Sequence, residues 1–136
     1  MDTSVFVAAI LSPAGENREV IRSCLLGKAV PLMGAALFHE YEALLGRADL
    51  MARGPLSHPE RQALFEAFVS VTEWVKVFFL WRPNLPDEAD NHLVELAIAG
   101  GAGTIVTNNL GDLRDGELKF PDLRIHSPKQ FLSQLP

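Results

Sequence analysis

Apolar residues recur along this chain at two spacings. The continuous apolar run Val5–Leu11, preceded by the cap residues Asp2, Thr3 and Ser4, predicts a first helix, and helical spacing marks Glu16–Lys28 with Val20, Ile21, Cys24 and Leu25 on one side, and Ala35–Arg47 with Leu37, Tyr41, Leu44 and Leu45. It continues through Pro59–Val71, Asp87–Ala99 with Leu93, Val94 and Ala97, and Pro128–Leu135. Short runs of branched, aromatic or other apolar residues at Ala29–Met33, Val75–Leu80, Thr104–Thr107 and Leu123–His126 predict strands. Helix boundaries carry their own signals: Ser57 or His58 as an N-cap before Pro59, Pro128 in a first turn, Gly27 near one helix end, and Gly100, Gly101 and Gly103 after another. Those last three glycines follow a helix and precede a strand, the reverse of a phosphate-binding loop.

Strands alternating with helices predict one α/β domain over residues 1–136, with a mostly parallel sheet covered on both faces. The first strand is abnormally short. Only Met1 precedes Asp2, whereas a buried strand runs about five residues, so strand one is a stub or natural residues are missing upstream.

The topology has a chemical consequence, because ligands of open parallel sheets bind beyond the carboxyl ends of the strands. Asp2, Glu40, Asp90 and the pair Asn109 and Asp112 each stand where an extended segment hands over to a helix or turn. Asp90 shares a helix face with Leu93, Val94 and Ala97, while Glu95 points roughly the other way. Each acid also has a structural reading. Asp2 and Asp87 suit N-caps, Asp90 suits the third helical position, and Thr107 to Asp112 suits a turn. Glu40 and Glu42 have equivalent flanking leucines and phenylalanine, so spacing alone does not choose between them.

Composition narrows the chemistry. A chain of 136 residues with 48% hydrophobic content can bury roughly two-thirds of its unfolded surface. The formal charge of -5 argues against a broad basic face for duplex binding, but not against an acidic site that holds divalent cations and through them attracts phosphate. The single cysteine, Cys24, excludes an internal disulfide and any zinc site with two cysteines, and reads as a core residue. His39, His58, His92 and His126 lack metal-binding spacing. No apolar run is long enough to span a bilayer, which places the chain by default in the cytoplasm. The sequence leaves room for exposed apolar surface around Phe65 and Phe68, while Phe78, Phe79 and Trp81 read as core rather than a base-stacking platform.

Four segments carry a family resemblance: Asp2-Thr3-Ser4-Val5; Glu40-Tyr41; Asp87-Glu88-Ala89-Asp90-Asn91 with Leu93 and Ala97; and Thr107-Asn108-Asn109 followed by Asp112-Leu113. With these the chain resembles the PIN-domain nucleases, particularly the toxin components of bacterial toxin-antitoxin pairs. The resemblance implies a three-layer α/β/α fold with a central sheet of about four to five strands. It implies a Mg²⁺- or Mn²⁺-dependent ribonuclease leaving 5′-phosphate and 3′-hydroxyl ends, with Asp2, Glu40, Asp90 and Asp112 as catalytic metal ligands. Ser4, Asp87, Thr107, Asn109 and Arg82 would support them. Expected partners are an RNA substrate, a small antitoxin protein and a second copy in a homodimer, with no membrane.

Two residues depart from the family pattern. Ser4 replaces the usual Asn, and Asn109 stands where many members carry an Asp, leaving Asp112 to supply that charge. A non-catalytic interaction or RNA-binding module of the same fold is the principal alternative. A phospho-acceptor domain is weaker, because no D-x-D follows the first strand.

Overall fold

The computed structural model describes residues 1–12, 15–76, 88–110 and 123–135, with residues 88–91 described by their backbone. Helix α1, Thr3–Leu11, is apolar almost all round because it is enclosed: Phe6, Ala9 and Ile10 enter the main core, while Val5 joins Val20 and Val106 in a smaller cluster. It packs on α2, Glu16–Leu25, and on α3, Ala35–Leu45. A short α4, Ala48–Met51, breaks the polar connection expected between α3 and α5, His58–Ser70. Among the described residues, four short strands follow the chain as β1 Leu32–Met33, β2 Glu73–Trp74, β3 Thr104–Val106 and β4 Arg124–His126. Helix α6, Glu88–Ala99, packs against β1, β3 and α3, and α7, Pro128–Gln134, packs on α2 and β4.

The caps explain where helices begin and end. Ser57 accepts a hydrogen bond from the Glu60 amide while the Glu60 side chain accepts from the Ser57 amide, and Ser127 and Gln130 repeat the arrangement before α7. At the other ends, Gly27 and Gly101 take positive φ of 78° and 70°. In each case the following amide reaches back to a carbonyl in the last turn, Lys28 to Ser23 at 2.9 Å and Ala102 to Ala97 at 2.8 Å. The glycines after α6 thus cap a helix, as their order predicts.

Among the described residues the strands form two parallel pairs, β1 with β2 and β3 with β4, and the single sheet of four to five strands that was expected is not seen there. Asp2 donates one backbone hydrogen bond to the Val106 carbonyl, 2.9 Å, and the chain then turns directly into α1, so this single rung ties the first residues to the β3–β4 pair. An apolar cavity lined by Met1, Leu32, Leu93, Leu96, Thr104 and Val106 lies there. The β2 strand also begins earlier than the expected Val75–Leu80, most of which lies outside the described residues.

Burial corrects three further expectations. Phe65 and Phe68 are buried, not exposed, because they stack with Phe6 and Tyr41 in one aromatic cluster. Leu25 lies at the exposed edge of α2, while Ser23 is buried and bonds back to the Glu19 carbonyl. Glu95 is buried among Leu93, Val94, Leu96 and Ala97, because α6 is covered on more than one side, with His92 Nδ1 at 3.9 Å. Cys24 is a core residue as expected, and burial pushes its thiol up.

Gly100 shows how closely α6 sits on the first strand pair. A Cβ there would overlap Leu32 Cδ1 and press on Val75 Cγ2 at 3.0 Å and the Leu96 carbonyl at 3.3 Å. Gly100→Ala is therefore expected to lower stability by about 1–3 kcal/mol, read as a reduced urea midpoint at unchanged slope.

Candidate functional site

Asp2 stands at the N-cap position of α1, yet its carboxylate makes no capping bond. It turns to hydroxyls instead. Its Oδ2 accepts from Ser4 Oγ at 2.9 Å and from Thr107 Oγ1 at 2.6 Å. Both hydroxyls in turn accept backbone amides, Ser4 Oγ from Asn108 at 3.1 Å and Thr107 Oγ1 from Asn109 at 2.9 Å. The result is a closed network between the start of α1 and the turn after β3, in which each hydroxyl serves as donor and acceptor.

Oδ1 of Asp2 faces differently. Thr3 Oγ1 approaches it at only 3.5 Å, too far for a good hydroxyl bond, because the Thr3 hydrogen goes to Glu40 Oε1 at 2.6 Å. One Thr3 hydroxyl thus brings together two acids far apart in sequence, with Oδ1 of Asp2 left as the less engaged oxygen. Glu42 lies apart from them, near His39 Nδ1 at 3.6 Å on the exposed side of α3. The tertiary contact distinguishes two glutamates that spacing could not.

Asp2 is 7% exposed, and no lysine, arginine or histidine forms an ion pair with Asp2 or Glu40 among the described residues. The Met1 ammonium acts on Asp2 from the buried start of the chain, where burial pulls its own pKa down and the Asp2 charge opposes that shift; burying a carboxylate costs free energy unless its charge is compensated, and hydroxyls compensate it only in part. Beneath the pair, Tyr41 donates to the Met1 carbonyl at 2.9 Å. Burial, and next the charge of Asp2, push its phenol well above the ordinary value, so it remains a protonated donor across the neutral range. That bond ties α3 to the residue preceding Asp2.

The remaining predicted positions divide. Asp90 lies in the first turn of α6, three and four residues before buried Leu93 and Val94, and its side chain lies outside the described residues. Asp87, Arg82 and Asp112 also lie outside them. Among the described residues no group of three or more His, Cys, Asp or Glu side chains gathers. Thr107 is fully buried and Asn109 follows it in the turn.

Two contributors escaped the sequence reading as site-builders. Thr3 entered the sequence reading only within the Asp2-Thr3-Ser4-Val5 segment, since its bond is to a glutamate 37 residues away. Asn108 bonds the Ser4 carbonyl at 3.3 Å and Asn17 Oδ1 at 2.9 Å, linking the turn to α2. No local pattern announces such a link.

The donor set suits a hard cation: oxygen ligands, an incompletely engaged carboxylate oxygen on Asp2, and a neighbouring glutamate. A family model described as a PIN domain matches residues 1–111. That span includes Asp2, Glu40, Asp90 and the Thr107–Asn109 turn, and ends one residue before Asp112. No curated protein and no solved structure matches the chain.

Proposed function

Because the chain belongs to the PIN-domain family, we propose that it is a metal-dependent endoribonuclease, the toxin of a toxin-antitoxin pair. PIN domains are generally nucleases and usually use divalent metal ions. The observation that carries the proposal is the buried Asp2 carboxylate, bonded through hydroxyls and set beside Glu40, with no lysine, arginine or histidine paired to either among the described residues. The buried Met1 ammonium offsets part of the charge on Asp2, and a divalent cation would offset the charge that the two carboxylates retain.

In this reading Asp2, Glu40, Asp90 and Asp112 hold Mg²⁺ or Mn²⁺, directly or through water. When bound, the ion supplies Lewis acidity that polarises a phosphodiester and acidifies water for attack on phosphorus. The chain's own residues do the positioning. Ser4 and Thr107 fix the rotation of the Asp2 carboxylate, so that Oδ1 is the oxygen left for the ion, and Thr3 holds Glu40 alongside. Asn109 braces Thr107 through its backbone amide, and this role does not require the charge of an Asp. Asp87 and Arg82 would support the acid-bearing end of α6. The same reading joins the two strand pairs into one three-layer α/β/α body in the cytoplasm, with a homodimer and a small antitoxin that covers the acidic edge. No helix among the described residues is long and apolar enough to cross a membrane.

The decisive experiment adds Mn²⁺ to the metal-free protein. A bound cation stabilises the folded state by mass action, so the melting temperature should rise by several degrees at concentrations about 100-fold above the dissociation constant. Asp90→Asn should lose most of that rise, and the parent should cut single-stranded RNA only with Mn²⁺ or Mg²⁺ present. A melting temperature indifferent to every divalent ion would count against the metal site. RNA binding without cleavage under Mn²⁺ would point to the non-catalytic module instead.

A further inference from the structure

Strand β2 ends in Trp74, whose indole is 53% exposed. Other large exposed hydrophobics, Leu25, Leu26, Val30 and Ile98, are aliphatic. The indole is held in place from behind. Its centroid lies 5.4 Å from that of Phe38 at 48°, Phe38 lies 5.6 Å from Phe65, and Phe65 contacts Tyr41 and Phe6 in the core. An aromatic chain anchored in the core therefore ends in a ring offered to solvent, which spares much of the entropy cost of ordering that ring when a flat ligand stacks on it.

A cation accompanies it. The β1–β2 ladder extends one residue beyond the strand, where the Val75 amide donates to the Met33 carbonyl at 2.9 Å, so alternation places exposed Lys76 on the same side as Trp74. Trp74 is in register with Met33, the last residue of β1, and Gly34 then opens α3, which carries Glu40. The pair of residues thus lies at the carboxyl end of β1 and β2, as Asp2 and Thr107 lie at the carboxyl end of β3.

We propose that Trp74 and Lys76 form a nucleotide subsite that selects single-stranded nucleic acid, the indole stacking on one base and the ammonium pairing with an adjacent phosphate. The subsite rests on the nuclease reading. A base in a duplex has both faces stacked on its neighbours, whereas a base in a single strand can give one face to an aromatic ring. Stacking of this kind tolerates any base, so the subsite selects strandedness rather than sequence.

The test is binding of a fluorescein-labelled single-stranded RNA to the full chain in EDTA, followed by anisotropy. Trp74→Leu keeps an apolar side chain against Phe38 but removes the ring, and should weaken binding about 5- to 150-fold. Trp74→Phe, which restores a ring face, should recover much of the loss, and Lys76→Gln should flatten the salt dependence. Parent-like affinity in Trp74→Leu, or equal losses in the Leu and Phe variants, would overturn the subsite while leaving the nuclease reading intact if the parent cleaves RNA under Mn²⁺. A parent that neither binds nor cleaves RNA would overturn both.

Discussion

Asp2→Asn is expected to cut Mn²⁺-dependent cleavage of single-stranded RNA by at least about 100-fold, while the variant remains folded. The lower bound follows from residues that merely orient metal ligands, whose loss costs about 10- to 100-fold in affinity or activity. The geometry adds a specific reason why so conservative a change fails. Ser4 and Thr107 both donate to Oδ2, and a hydroxyl donor cannot be satisfied by an amide NH₂. The Asn oxygen must therefore occupy the Oδ2 position, which turns the NH₂ toward the side where Oδ1 was left for a cation. Charge and acceptor are lost at the same point. In EDTA the variant should melt close to the parent, since removing the desolvation cost of a buried carboxylate offsets the loss of its attraction to the Met1 ammonium. Cleavage within about threefold of the parent would exclude Asp2 from the chemistry; a variant that unfolds would instead assign it to the fold.

What could be read from residues alone was what local spacing encodes. The stripes of α2, α3 and α6, the capping residues and the turn glycines all act within a few positions, and the helices accordingly lie close to their expected spans. Contacts across the fold were another matter. Phe65 and Phe68 recur on a helix whose opposite face carries other apolar residues, so nothing local showed that Phe6 and Tyr41 would cover them. Glu95 looked solvated because one face of α6 already had an apolar stripe, and burial on a second side is a property of the neighbours. Strand-forming runs signal extended backbone and not its pairing partner, so the two parallel pairs seen among the described residues could not be read from the runs themselves. At the candidate site, the resemblance named Asp2 and Glu40 with Ser4 and Thr107 in support, but the bonds by which these hydroxyls and Thr3 hold the two carboxylates carry no local signal. Thr3 and Thr107 act over separations of 37 and 105 residues.

The largest stability effect should come from Phe6→Ala, on the same helix that presents Asp2. Phe6 is fully buried and meets three aromatic rings, Tyr41 at 5.4 Å edge-on, Phe68 at 5.4 Å and Phe65 at 5.9 Å. Truncation removes its buried area and leaves a cavity that three stiff rings from two other helices cannot readily close. The expected loss is about 3–5 kcal/mol, a large part of the roughly 5–15 kcal/mol that holds a domain of this kind folded. Phe6 lies one turn beyond Asp2, so the cavity also loosens the element that the Val106, Ser4 and Thr107 bonds hold at the site. Urea unfolding should show a much lower midpoint with an unchanged slope. Phe6→Leu, which fills most of the space, should lose clearly less. At low temperature, where Phe6→Ala still folds, its Mn²⁺-dependent cleavage per folded molecule should fall more than that of Gly100→Ala, whose strain lies at α6 and the β1–β2 pair. A midpoint shift equivalent to less than about 1 kcal/mol would mean that the aromatic cluster repacks around the gap, contrary to the close packing expected of a protein core.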